Sequence, residues 1–100
     1  MWFVFMVRCT DDSLYVGETG DLDVRLVKHN EGSGSAFTAS RRPVVLAYSE
    51  SHSTRDTALK RERQIKRWTR AKKEALIAND VALLKKAVST ERRSTGTPGT

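Results

Sequence analysis

Four side chains in this sequence stand where their neighbours lead one to expect apolar residues, and together they have the composition of a hydrolytic site. Leu22, Arg25, Leu26 and His29 are spaced i, i+3, i+4, i+7, the spacing of a helix face turned toward a core, yet two of the four are cationic or titratable. Further on, Ala58, Glu62, Ile65 and Thr69 repeat at four, three and four residues, which places Glu62 in or beside an apolar stripe. Carboxylates rarely occupy such places unpaired. Tyr15 alternates with Ser13 and Gly17, so in a strand all three point to one face, and Gly17 leaves room beside the ring. A guanidinium suits a phosphate, a lone carboxylate suits a hard divalent cation, and a phenol or imidazole can take a proton from water. Each also has a plain structural reading. Arg25 and His29 fit the edge of a buried face with the arginine stem packed, Glu62 fits an i, i+4 pair with Lys66, and a strand tyrosine fits the core.

The elements that would position these residues follow from local signals. Residues 2 to 9 (WFVFMVRC) are dense in aromatic and β-branched types, and residues 13 to 18 (SLYVGE) read as a second strand across the turn Thr10-Asp11-Asp12. Asp21 caps a helix from Leu22 to about Asn30, ended by Gly32 and Gly34, and the Gly/Ser stretch 32 to 35 is expected to be a mobile loop. Pro43 precedes a third strand in VVLAY. Ser53 or Thr54 begins a helix with Asp56 in its first turn that runs to Trp68, and a break is expected near Thr69. Two short helices follow, 70 to 78 and 80 to 88, the second capped by Asn79 or Asp80, and the order through the first of them is β-β-α-β-α-α. The fold class is α+β, a small three-stranded mixed or antiparallel sheet flanked by helices. Residues 1–88 form one domain and residues 89–100 a tail without apolar side chains, expected to be disordered.

Bulk properties narrow the function. One hundred residues, 38% hydrophobic and 30% charged, describe a globular chain, and no apolar run reaches the roughly 18 residues of a membrane span. WFVFMV is a first strand rather than a signal peptide, and cytoplasm is the expected address. Cys9 is the sole cysteine, which excludes an internal disulfide and a multi-cysteine metal site. The net charge is +6, and residues 55 to 74 hold nine of the eighteen Lys and Arg against three acids, an excess equal to that of the whole chain. A polyanion, most simply nucleic acid, is the expected partner.

Taken in order, LYVG at 14 to 17, Arg25 and His29 on the next helix, Arg41-Arg42-Pro43, ALKRERQIKRW and RAKKEALI resemble the GIY-YIG nucleases, in particular their small single-domain bacterial members of UPF0213 type. The resemblance runs from residue 2 to about 78. It implies a three-stranded sheet with helices around it, and a site on the sheet face that carries the motif tyrosines. It matches Tyr15 and Gly17 to the second half-motif, Arg25 to the phosphate-contacting arginine, His29 to the histidine of many members and Glu62 to the metal-binding glutamate. Phe5 stands where the first half-motif usually has tyrosine, so that hydroxyl is missing, and Asn30 is a supporting position beside His29.

The activity so implied is hydrolysis of DNA phosphodiester bonds with one divalent ion, Mg²⁺ or Mn²⁺, held by Glu62. Tyr15 helped by His29 would deprotonate water, a task for which a phenol needs a nearby cation such as Arg25. Arg25 would grip the phosphate, and Arg41, Arg42, Lys60, Arg63, Lys66 and Arg67 would hold the flanking backbone without reading sequence. Trp68, at helical spacing from Ile65, is assigned to the core. Two rival readings use fewer of these residues: a catalytically weak or inactive nucleic-acid-binding module, which Phe5 favours, and a protein-interaction adaptor whose basic helix is a solvated face.

Overall fold

The computed structural model describes residues 1–89, with side chains through residue 79. The order is β1 (Trp2–Arg8), β2 (Leu14–Thr19), α1 (Leu22–Glu31), α2 (Ala36–Ala39), β3 (Val45–His52), α3 (Arg55–Lys66) and α4 (Arg70–Ser89). The three strands form one antiparallel sheet in the order β2-β1-β3, with Phe5 opposite Gly17 and Met6 opposite both Val16 and Tyr48. The continuous apolar run of β1 is explained by its central place: Val4, Phe5, Met6 and Val7 are all fully buried, so neither face of the strand is wetted.

Alternation along β1 divides the core in two. Val4 and Met6, with Val16, pack against Ala58 and Ile65 of α3, and Trp68, Tyr48, Leu76 and Ile77 close the edge of that cluster. Phe5 and Val7, with Cys9 and Val44, pack against Tyr15 and against Leu22 and Leu26 of α1. The sheet therefore has α1 on one side and α3 on the other. Trp68 and Cys9 are core residues, as their sequence settings predict.

Local signals account for most boundaries. Asp21 accepts a hydrogen bond from the Val24 amide at 3.1 Å and starts α1, and Gly32 ends it in the left-handed region at φ 90°. Thr54 caps α3, and Asp12, at φ 70°, makes the turn between β1 and β2. Residues 36 to 39, to which the local sequence signals assign no element, form the four-residue α2, begun where Ser35 accepts from the Thr38 amide at 3.1 Å. One expectation is corrected. Helices 70 to 78 and 80 to 88 are one helix, α4, through Asn79 and Asp80. An interior Asn or Asp costs at most about 0.7 kcal/mol relative to Ala, less than the interrupted hydrogen bonds and second nucleation that a break would require. From residue 90 onward the expected tail lies outside the described residues.

One ion pair ties α4 to the sheet. Arg8, at the end of β1, donates through both terminal nitrogens to Glu74 at 2.8 Å each, and Arg70 and Asp12 extend the cluster. The Arg8 hydrogen bond, then its charge, holds the Glu74 carboxyl down at about 2, against 4.5 for an ordinary glutamate. Because folding lowers this pKa, the contribution to stability is complete above the ordinary carboxylate range and is lost as pH falls from about 4.5 toward 2. Glu74→Gln is expected to lower the melting temperature at pH 7, with the gap from wild type narrowing through that window. A gap that stays constant in thermal melts from pH 7 to 2 would contradict this assignment.

Candidate active site

The last turn of α1 places a fully buried histidine against the sheet. His29 has no exposed surface, and its Nδ1 lies 2.7 Å from Thr38 Oγ1. The partner is supplied by α2, whose capping residue Ser35 also lies 2.9 Å from the same hydroxyl. Gly34 closes the loop over the ring: a Cβ there would stand 2.4 Å from His29 Nδ1 and 2.5 Å from its Cγ, so only glycine lets the backbone come this near. On the sheet side Tyr15 and Phe5 meet the imidazole edge to face, at centroid separations of 5.1 and 5.9 Å. The room left by Gly17 is taken by Phe5, whose Cζ would be 2.7 Å from an added Cβ. Gly17 thus admits a neighbouring ring rather than a ligand.

The electrostatics of this cluster are unusual. His29 Nε2 and Arg25 Nε are both buried and have no hydrogen-bond partner among the described residues. Burial, and next the charge of Arg25, push His29 below the ordinary histidine value of 6.5, so the ring is neutral at physiological pH. An unsatisfied buried polar atom costs about 1–3 kcal/mol, and two in one place call for a ligand or water to complete them.

Glu62 belongs to α3, the helix on the other side of the sheet. It lies on α3 between Ala58 and Ile65, both fully buried against the sheet, and its side chain is 15% exposed. Its carboxylate pairs with Lys66 Nζ at 3.4 Å. Lys66 in turn lines a cleft of about 210 Å³ with Tyr15, Phe37 and Lys73, over the edge strand β2. Tyr15, His29 and Phe5 are thus brought together on the α1 side of the sheet, where the charge of Arg25 also reaches His29, whereas Glu62 stands on α3 on the opposite side, its partner Lys66 lining the cleft beside Tyr15. No group of three or more His, Cys, Asp or Glu that could hold a metal occurs among the described residues, so a divalent ion held by the Glu62 carboxylate would take its remaining ligands from water and substrate phosphate.

The remaining candidates separate by their commitments. Arg63 and Arg67 are exposed on α3, Lys60 pairs with Asp56 at 3.2 Å, and Lys66 is Glu62's partner. Arg41 is held by Asp11 at 3.0 Å and by the Phe37 carbonyl at 2.7 Å, and its guanidinium lies 3.9 Å from the Phe37 ring centre. Arg42 donates to the Ala39 carbonyl at 2.8 Å. Asn30 grips β3 at its entry, donating to the Val44 carbonyl at 3.1 Å and accepting from the Val44 amide at 2.7 Å, so it supports the site by fixing α1 to the sheet.

Sequence reasoning missed Gly34, Ser35, Thr38 and Phe37, the last stacked on Tyr15 at 6.1 Å. The capping spacing Ser35-x-x-Thr38 was the available signal. It also missed Glu18, whose Oε2 is buried without a partner among the described residues and whose other oxygen is 3.6 Å from Arg55.

With this geometry in view, residues 1–75 match the model of the GIY-YIG catalytic domain. A UPF0213 protein of Staphylococcus aureus is 51% identical over 75 residues, and one of Staphylococcus epidermidis 48%, each match covering 75% of this chain and 92% of the relative. Two solution NMR structures are similar. A UPF0213 protein from Bacillus halodurans has 34% identity and a TM-score of 0.52 over 78% of this chain and 84% of that one. A protein from E. faecalis has 32% identity and a TM-score of 0.53 over 94% and 92%. The expected family and the α+β fold are both found, and the chain belongs to the GIY-YIG domain family.

Proposed function

We propose that this chain is a metal-dependent endonuclease that hydrolyses phosphodiester bonds of DNA in the cytoplasm, with residues 1–88 as its working domain. The observation that carries the reading is the fully buried His29 beside Tyr15, with Nε2 lacking a partner among the described residues, as Arg25 Nε does. A buried base with an open nitrogen is poorly explained by packing alone. The family supports nuclease chemistry in general, and among the described residues no helix is long and apolar enough to cross a membrane.

The roles follow from the groups. Arg25, whose Nε lacks a partner among the described residues, donates to the scissile phosphate and offsets the charge that builds on its oxygens. Tyr15 and His29 orient the attacking water and take its proton, with His29 neutral and so able to accept one. Glu62 would hold one Mg²⁺ or Mn²⁺, which when bound would supply Lewis-acid stabilisation of the phosphate and leaving oxygen. Exposed Arg63 and Arg67, with Lys60 and Lys66, hold the flanking backbone. Phe5, fully buried and without a hydroxyl, favours a second reading: a nucleic-acid-binding module with weak or absent catalysis.

Arg25→Ala and Glu62→Ala are each expected to lower kcat/KM for Mg²⁺-dependent oligonucleotide cleavage by about 10²–10³-fold while leaving the melting temperature nearly unchanged. Salt-sensitive binding by wild type with no cutting of single-stranded, duplex or branched DNA would instead support the second reading. Arg63→Ala and Arg67→Ala are expected to weaken binding equally across sequences. Each should reduce the slope of log affinity against log salt by about one, read by fluorescence anisotropy. Slopes unchanged from wild type would remove α3 from the interface.

A further inference from the structure

Thr38 is a candidate for a role beyond packing, because its hydroxyl is the one hydrogen-bond partner of the buried His29 ring among the described residues and is itself fully buried. Its oxygen has three polar neighbours: His29 Nδ1 at 2.7 Å, Ser35 Oγ at 2.9 Å and the Ser35 carbonyl at 3.4 Å. A hydroxyl has one proton to give and two lone pairs to receive with, so two orders of donation satisfy the network. In one, His29 Nδ1–H donates to Thr38, and Thr38 donates to Ser35. In the other, Ser35 donates to Thr38, Thr38 donates to Nδ1, and the imidazole proton moves to Nε2.

The surroundings of Nε2 discriminate between them. The second order leaves an N–H buried with no acceptor among the described residues, close to Arg25, whose Nε–H is likewise buried without one. Two unmet donors and a positive charge would then share a pocket. The first order leaves a lone pair at Nε2, which the Arg25 charge favours, and any free Ser35 proton points from a half-buried side chain toward water.

We propose that Thr38, backed by Ser35, is a positioning residue that fixes neutral His29 with its proton on Nδ1 and its lone pair on Nε2. This rests on the nuclease reading for its consequence, a proton acceptor ready for the attacking water, but the tautomer itself does not depend on it. It also gives α2 a purpose. A four-residue helix contributes little stability by itself, yet it carries both hydroxyls to the imidazole.

The test is ¹⁵N NMR of histidine-labelled protein, in which protonated and unprotonated ring nitrogens are separately resolved. His52 serves as the second histidine for comparison. Wild type and Thr38→Ser are expected to carry the proton on Nδ1. Thr38→Val, nearly the same shape without the hydroxyl, leaves neither ring nitrogen with a partner and is expected to give a mixture of the two tautomers and to lower kcat for DNA cleavage about 100-fold with KM unchanged. Thr38→Ser should stay within a few-fold of wild type. A wild-type ring protonated on Nε2, or a Thr38→Val ring still protonated on Nδ1 with full kcat, overturns the proposal. Should Thr38→Val fail to fold, the wild-type spectrum still decides. A wild-type protein with the Nδ1 proton that cuts no DNA would defeat the nuclease reading and leave the tautomer assignment standing.

Discussion

Burying a titratable ring inside a domain of 100 residues is tolerable only when the ring is neutral and at least one nitrogen is bonded, and His29 meets both conditions. Several neighbouring features are consequences. The Thr38 hydroxyl has to be delivered to Nδ1, which requires α2 and its Ser35 cap. The loop from α1 has to pass over the ring without a side chain, which requires Gly34. The sheet has to present flat apolar surface beneath it, which Phe5 and Tyr15 provide, with Gly17 making room for Phe5.

The other side of the sheet is organised differently. Ala58 and Ile65 press α3 onto Val4, Met6 and Val16, and Glu62 lies between them on the same stripe. Because β2 is an edge strand, a cleft can wrap over it and join Tyr15 on one face to Lys66 on α3. An edge strand is usually a liability, since its unpaired backbone invites other chains. Here a helix covers part of it and basic side chains line the rest.

Much of the architecture was legible because it depends on short-range rules. The buried run of β1, the Asp21 and Thr54 caps, the Gly32 stop and the helical placement of Arg25, His29 and Glu62 all follow from spacing and capping. Three features were not. A helix as short as α2 has no periodicity to read, so nothing in the sequence marks Thr38 beyond its spacing from Ser35. The junction at Asn79-Asp80 resembled a cap but was absorbed into α4, since propensity at two positions is weaker than helix continuation. The side of the sheet from which Glu62 approaches is a tertiary fact that a stripe on one helix does not contain. Gly34 is a further case: its need for glycine comes from an imidazole five residues earlier, not from backbone conformation.

The central claim is that the phenol, guanidinium and imidazole of the α1 side and the carboxylate of α3 serve one reaction centre across the β2 edge. Paramagnetic broadening by Mn²⁺, recorded by NMR with a non-hydrolysable oligonucleotide bound, addresses it most directly. The account predicts that at substoichiometric Mn²⁺ the signals of Glu62, Tyr15, Arg25 and His29 broaden together, ahead of those of other residues. Broadening confined to Glu62 and its own helix, or scattered over surface acids while Tyr15 and His29 stay sharp, would contradict it.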